Sequence, residues 1–188
     1  MIFSYLSVIL DLFANIPYAW SVYKGQIRPH PFTWLIWTLL VLLMAVIQYN
    51  GGAGGGGWLL ISTTILNIII VILSFRFGTK DIQRSDYIAL FFCLACFPLY
   101  FLFKLPDIAA IIITTIDCVS FYPMLRKSFH DPHGESALFQ GIMASAYLSS
   151  LVAMDAYSLS TALFPVSMVI MHGSSCLYLL VLRHKIAS

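Results

Sequence analysis

Apolar residues fill long runs along this chain, and the polar positions gather in short breaks between them. The opening run, "IFSYLSVILDLFANIPYAWSVY", is followed by others of about 18 or more residues, each long enough to cross a hydrocarbon core of about 30 Å at a helical rise of about 1.5 Å per residue. The pattern predicts seven transmembrane helices, at about 2–23, 32–49, 58–76, 86–103, 106–125, 137–154 and 159–182. The expected fold class is therefore an all-α membrane protein.

Composition agrees with that reading. Of 188 residues, 60% are hydrophobic and 10% charged, whereas soluble domains carry about 25% charged residues. Seven crossings leave little chain for a separate soluble domain. The first run has no positively charged leader and no small-residue cleavage site, so it is expected to stay in the mature protein.

Lys24, Arg28, Arg76, Lys80, Arg84, Arg126, Lys127, Arg183 and Lys185 all fall on one side of this topology, and Lys104 stands alone on the other. Short cytoplasmic loops retain Lys and Arg. The N-terminus is expected outside and the C-terminus in the cytoplasm, with a bacterial inner membrane as the expected location. The net charge of +2 reflects this bias, and no nucleic-acid partner is implied. Cys93, Cys96, Cys118 and Cys176 lie inside spans, where packing is their expected role; a reactive CxxC thiol would need an electropositive, accessible setting.

A second level of order is a repeat. Asp11 precedes Pro17 in "DLFANIP" as Asp117 precedes Pro123 in "DCVSFYP", 106 residues later. Each segment runs into a basic, Pro-containing loop, "YKGQIRPHP" and "LRKSFHDPH", and each is followed by a span, a short outer turn and another span. The chain divides into a first three-helix repeat (1–77), a connector helix (78–104) and a second three-helix repeat (105–188). Because the connector restores the chain direction, the two halves are expected to be parallel repeats about an axis along the membrane normal.

This architecture, with the late prolines before basic loops, resembles the PQ-loop superfamily, which includes the SWEET sugar transporters, the PnuC-type vitamin transporters and the lysosomal cystine transporter. The second residue of the short motif departs from that pattern: Tyr18 and Met124 stand after the prolines. The resemblance implies alternating access, with Pro17 and Pro123 as hinges. It also implies a solute-contacting asparagine in the third helix of each half, carried here to Asn67 and loosely to His172, which stands 105 residues further on.

The residues themselves add candidate chemistry. Proline cannot donate to the carbonyl four residues before it, so the carbonyls of Phe13 and Val119 need other partners, which is expected to turn those faces toward protein or water. The proline is then either a static kink or a hinge. A charged Asp at the bilayer centre costs about 2.5–3.5 kcal/mol on insertion scales, so Asp11 and Asp117 are expected to face the interior or take up a proton. Asp11, Asn15 and Tyr18 share one face of the first helix, and Thr114 and Asp117 share one of the fifth. Proton coupling and simple tethering of a neighbouring helix are both open to these carboxyls. Thr63, Asn67 and Ser74 line one face of the third helix; Met168, His172 and Ser175 line one of the seventh. His172 is either a solute ligand or a structural histidine. Trp34 and Trp37 are either headgroup-level anchors or an inner gate that stacks a ring-bearing solute, and Trp58 suits an interface anchor.

Three other signals carry little. "NGGAGGGG", residues 50–57, lacks the Lys-Ser/Thr and the preceding strand of a phosphate loop and is expected to be a flexible external turn. "HDPH", residues 130–133, lacks a zinc-ligand set, and "HGSSC" lacks an oriented acid. No cofactor or metal is expected. The reading is a non-enzymatic transporter of a small polar solute (a sugar, amino acid or vitamin-like molecule), facilitated or proton-coupled, in the lipid bilayer, with assembly into a homo-oligomer left open. The alternative is a seven-helix receptor or scaffold for a peptide or protein, since the KDEL receptor shares this general architecture.

Overall fold

The computed structural model describes residues 1–26, 29–78, 80, 84–130, 132 and 135–187; within its helices, the side chains at 85, 86, 89, 122, 123, 126, 127, 130, 186 and 187 are outside the description. Among the described residues there are seven helices and no strand: α1 (Ile2–Tyr23), α2 (Pro31–Asn50), α3 (Trp58–Phe77), α4 (Arg84–Phe101), α5 (Pro106–His130), α6 (Ala137–Val152) and α7 (Leu159–Ala187).

Local chemistry sets several ends. Pro31 opens α2 behind His30, whose ring accepts the Thr33 N–H, and Ser136 caps α6 by accepting the Phe139 N–H. Before α7, Ser158 and Thr161 exchange bonds, each hydroxyl accepting the other's backbone N–H.

The helices are inside out by the standard of a soluble protein. On α1 the buried positions are Ser4, Ser7, Asp11, Ala14 and Asn15, while Ile9, Phe13, Ile16 and Trp20 face outward. On α3, Thr63, Thr64, Asn67 and Ser74 are buried, and Ile61, Ile65, Ile68 and Ile72 are exposed. Hydrocarbon outside and hydroxyls inside is the arrangement of an integral membrane protein, because lipid solvates isoleucine and leaves polar groups to pair with one another. α1, α2, α7, and α3 with its preceding turn are long and apolar enough to cross a membrane. The apolar part of α4, Leu90–Phe101, and α6 are shorter. The sixteen residues of α6 rise only about 24 Å.

Packing follows one rule in each triplet. α3 lies along both α1 and α2, and α7 along both α5 and α6; α1 with α2, and α5 with α6, make no close backbone approach among the described residues. The triplets meet through a long contact of α1 on α6 and shorter ones of α2 on α5, α2 on α7 and α3 on α6, and α4 packs on α2 and α5.

The glycine-rich segment is not the free external turn that its composition suggests. Gly54–Gly57 form a 3₁₀ turn, and Ala53, Gly56 and Gly57 are buried. A Cβ at Gly55 would strike the Ser4 hydroxyl of α1, and one at Gly56 would lie 2.8 Å from the Ser150 carbonyl of α6 and against Met154. The Ser150 hydroxyl donates to the Gly56 carbonyl at 2.7 Å, and the Asp155 N–H donates to Ala53 at 3.2 Å. Glycine is there because the backbones come too close for a side chain.

The inward turn expected for the first proline does not occur either. Pro17 and Phe13 both lie on the exposed face of α1. Six residues at about 100° each carry the chain about 240° round the helix, so a buried Asp11 forces Pro17 outward. The Pro17 carbonyl accepts the Ser21 hydroxyl at 2.9 Å. The second hinge candidate, Pro123, lies outside the described residues as far as its side chain is concerned, as do Arg28, His130, Asp131 and His133.

Candidate functional site

The polar stripe of α1 meets α3 first. Asp11 is 0% exposed. Its Oδ2 accepts the Ser62 hydroxyl at 2.6 Å, and its Oδ1 accepts Thr63 at 3.0 Å and Asn15 Nδ2 at 2.8 Å. Three donors on one carboxyl, two of them from another helix, make a tether between α1 and α3. Asn15 also reaches across the boundary of the triplets, with Nδ2 at 3.9 Å from the Met143 sulfur of α6.

One turn further along α6 stands Tyr147, 3% exposed. Its ring packs against Phe164 of α7, with centroids 6.1 Å apart.

On the far side, α5 buries Ala110, Ile113, Thr114, Asp117 and Phe121 as one stripe. Asp117 is 7% exposed, and no side chain among the described residues donates to its carboxyl. Its backbone carbonyl accepts the Ser120 hydroxyl, which in turn accepts the Trp37 indole N–H at 3.1 Å, linking α2 to α5. The Thr114 hydroxyl, one turn above Asp117, is buried without a partner.

His172 is held within the second triplet. Its Nδ1 is 2.6 Å from Gln140 Oε1 of α6. With the amide oxygen as acceptor, Nδ1 carries the proton and Nε2 remains an acceptor. Phe121 meets the imidazole edge-on with centroids 5.0 Å apart, and Tyr147 stacks on it at 5.7 Å. This is the tethered, packed histidine that the sequence left open. Asn67 is buried on α3, and since α3 and α7 do not pack on each other, helix packing does not bring Asn67 and His172 together.

Tyr18, Trp34 and Trp37 form a run of rings near the C-terminal end of α1 and the N-terminal end of α2, with centroids 5.0 Å apart for Tyr18 and Trp34 and 5.4 Å for the two tryptophans. Trp34 is 9% exposed, so it is not a headgroup anchor. Trp58, exposed at the start of α3 and edge-on to Tyr5, has the placement of one. All four cysteines are free, and no His, Cys, Asp and Glu group among the described residues could hold a metal ion.

Sequence reasoning thus found Asp11, Asn15, Thr114 and Asp117 on inward faces but missed Ser62, Tyr147, Gln140 and Gln48. The two glutamines are the strongest polar groups in spans otherwise almost free of them, a signal that could have marked them. Comparison of the chain with protein-family models, with curated proteins and with solved structures gives no match.

Proposed function

We propose that this protein is a transporter of a small polar solute that works by alternating access between two three-helix halves of the PQ-loop type, with seven crossings, an external N-terminus and a cytoplasmic C-terminus. The observation that carries this reading is the set of buried polar groups on the first helix of each triplet, with Asp11 and Asn15 on α1, Asn15 reaching Met143 of α6 across the boundary of the triplets, and Thr114 and Asp117 on α5. Polar groups at that depth are costly and mark a solute or ion path.

The packing scheme supports the two-half description. Exchanging α1 with α5, α2 with α6 and α3 with α7 turns the set of contacts among these six helices into itself: α1 on α6 becomes α5 on α2, and each third helix keeps its place between the other two. In this account Asp11 is the fixed tether and Asp117 the group that engages solute or coupling ion. Tyr18, Trp34 and Trp37 close the inner end, Asn15 and Asn67 supply amides to the path, and His172 shapes its floor through Gln140. Pro17 and Pro123 supply the bending points.

Uptake of sugars, amino acids and vitamins into proteoliposomes, with and without a pH gradient, tests the reading. Saturable uptake of one class supports it. Stoichiometric capture of a peptide or protein, with no solute taken up, would instead establish the receptor.

A further inference from the structure

The two repeat-related aspartates do not have equivalent surroundings. Both are buried near the middle of the first helix of a triplet. Asp11 accepts three hydrogen bonds from neutral donors, whereas no described side chain donates to the carboxyl of Asp117, which is 7% exposed. A carboxylate in a dry interior keeps its charge only with donors or an opposite charge.

The hydroxyl beside it is also held back. Thr38, Thr64 and Thr115 each donate to the carbonyl four residues before, the usual way a helical threonine satisfies itself. Thr114, 5% exposed, does not, and its Oγ1 is left unpartnered one turn above Asp117. Two partnerless oxygen-bearing side chains on one buried face, with the ring of Phe121 one turn below and Tyr147 packed on the same His172 ring as Phe121, are what a small cation needs: a negative oxygen pair, a hydroxyl lone pair and aromatic walls.

We propose that Asp117 and Thr114 form a site for a monovalent cationic group, supplied either as the ammonium of an amine-bearing solute or as a coupling alkali ion. Asp11 is not its twin: with its oxygens already taken by Ser62, Thr63 and Asn15, it stays a fixed strut. This assignment rests on the transport reading and narrows it. Few oxygens and two aromatic neighbours suit an ammonium group better than a bare metal ion, which wants more oxygen ligands.

The test is thermal unfolding of the purified protein at constant ionic strength, with tetraethylammonium chloride replaced stepwise by methylammonium chloride or by sodium chloride. A saturable rise in melting temperature with methylammonium identifies the amine; one with sodium alone identifies a coupling ion. Asp117→Asn abolishes the rise, and Thr114→Val weakens the apparent affinity about tenfold, equivalent to about 1.4 kcal/mol. Ser62→Ala, which touches only the Asp11 end, keeps it. No rise with either cation, or a rise that survives Asp117→Asn, overturns the site. Uptake measured on the same preparation separates the two ideas. Solute uptake without cation stabilisation sinks the site alone, and cation stabilisation without uptake of any solute sinks the transporter alone.

Discussion

The Gln48 side chain donates from Nε2 to the carbonyl of Thr161 at 2.8 Å, across 113 residues of sequence. That carbonyl is the one that Pro165, four residues on within α7, leaves without its helical donor. A fully buried glutamine of α2 thus completes the backbone of a helix in the other triplet, close to where the glycine-rich turn packs on α1 and α6. The ends of five helices are joined there.

Gln48→Leu leaves the Thr161 carbonyl orphaned and is expected to cost about 1–3 kcal/mol. Pro165→Ala in the same background restores an N–H four residues after Thr161 and should recover part of that loss. Chemical or thermal denaturation of the four members of the cycle measures the coupling. Strict additivity would show that the two residues do not share this carbonyl.

Gly56→Ala pushes a methyl toward the Ser150 carbonyl, 2.8 Å from the new carbon, and onto Met154. Backbone cannot yield as a flexible side chain can, so a loss of about 1–3 kcal/mol is expected. Gly25→Ala is the spatial control, because nothing lies within 4 Å of its Cβ position, although its φ of 71° costs some strain of its own. Equal melting temperatures for Gly56→Ala and the parent would contradict the packed junction.

Asp11→Ala strands the donors of Ser62, Thr63 and Asn15 and should destabilise the protein by about 3 kcal/mol or more. Ser62→Ala alone removes one of three bonds and should cost about 1 kcal/mol. Thermal unfolding in detergent reads both. An Asp11→Ala protein as stable as the parent would remove the tether from the account.

In the ring cluster, Trp37→Phe keeps an aromatic ring and deletes the bond to Ser120, for an expected loss of about 0.5–1.5 kcal/mol. Trp34→Ala empties a buried, ring-stacked position and should cost about 3–5 kcal/mol. A smaller loss for Trp34→Ala than for Trp37→Phe would place Trp34 outside the packed cluster.

Much of this fold is visible in the chain because lipid forces a simple code. Aliphatic runs gave the helices, and the spacing of Asp11 from Asn15, and of Thr114 from Asp117, put these residues on inward faces. Helix ends were less legible: α6 stops at Val152, where the chain turns to meet the glycine-rich segment. That segment looked loose because composition reports conformational freedom and not the close approach that also selects glycine. The outward Pro17 was predictable from its distance to Asp11 but was obscured by the need to satisfy a freed carbonyl. The pairs Gln48 with Thr161, Gln140 with His172 and Ser62 with Asp11 join helices that no local periodicity relates, so each partner was visible only as an isolated polar residue.

The central claim is that the buried polar groups of α1 and α5 line a path reached in turn from both sides of the membrane. With Cys93, Cys96, Cys118 and Cys176 replaced by alanine, Thr114→Cys in liposomes can be challenged with a membrane-impermeant thiol reagent applied to one face at a time. The account predicts labelling from either face; labelling from one face only, or from neither, contradicts it.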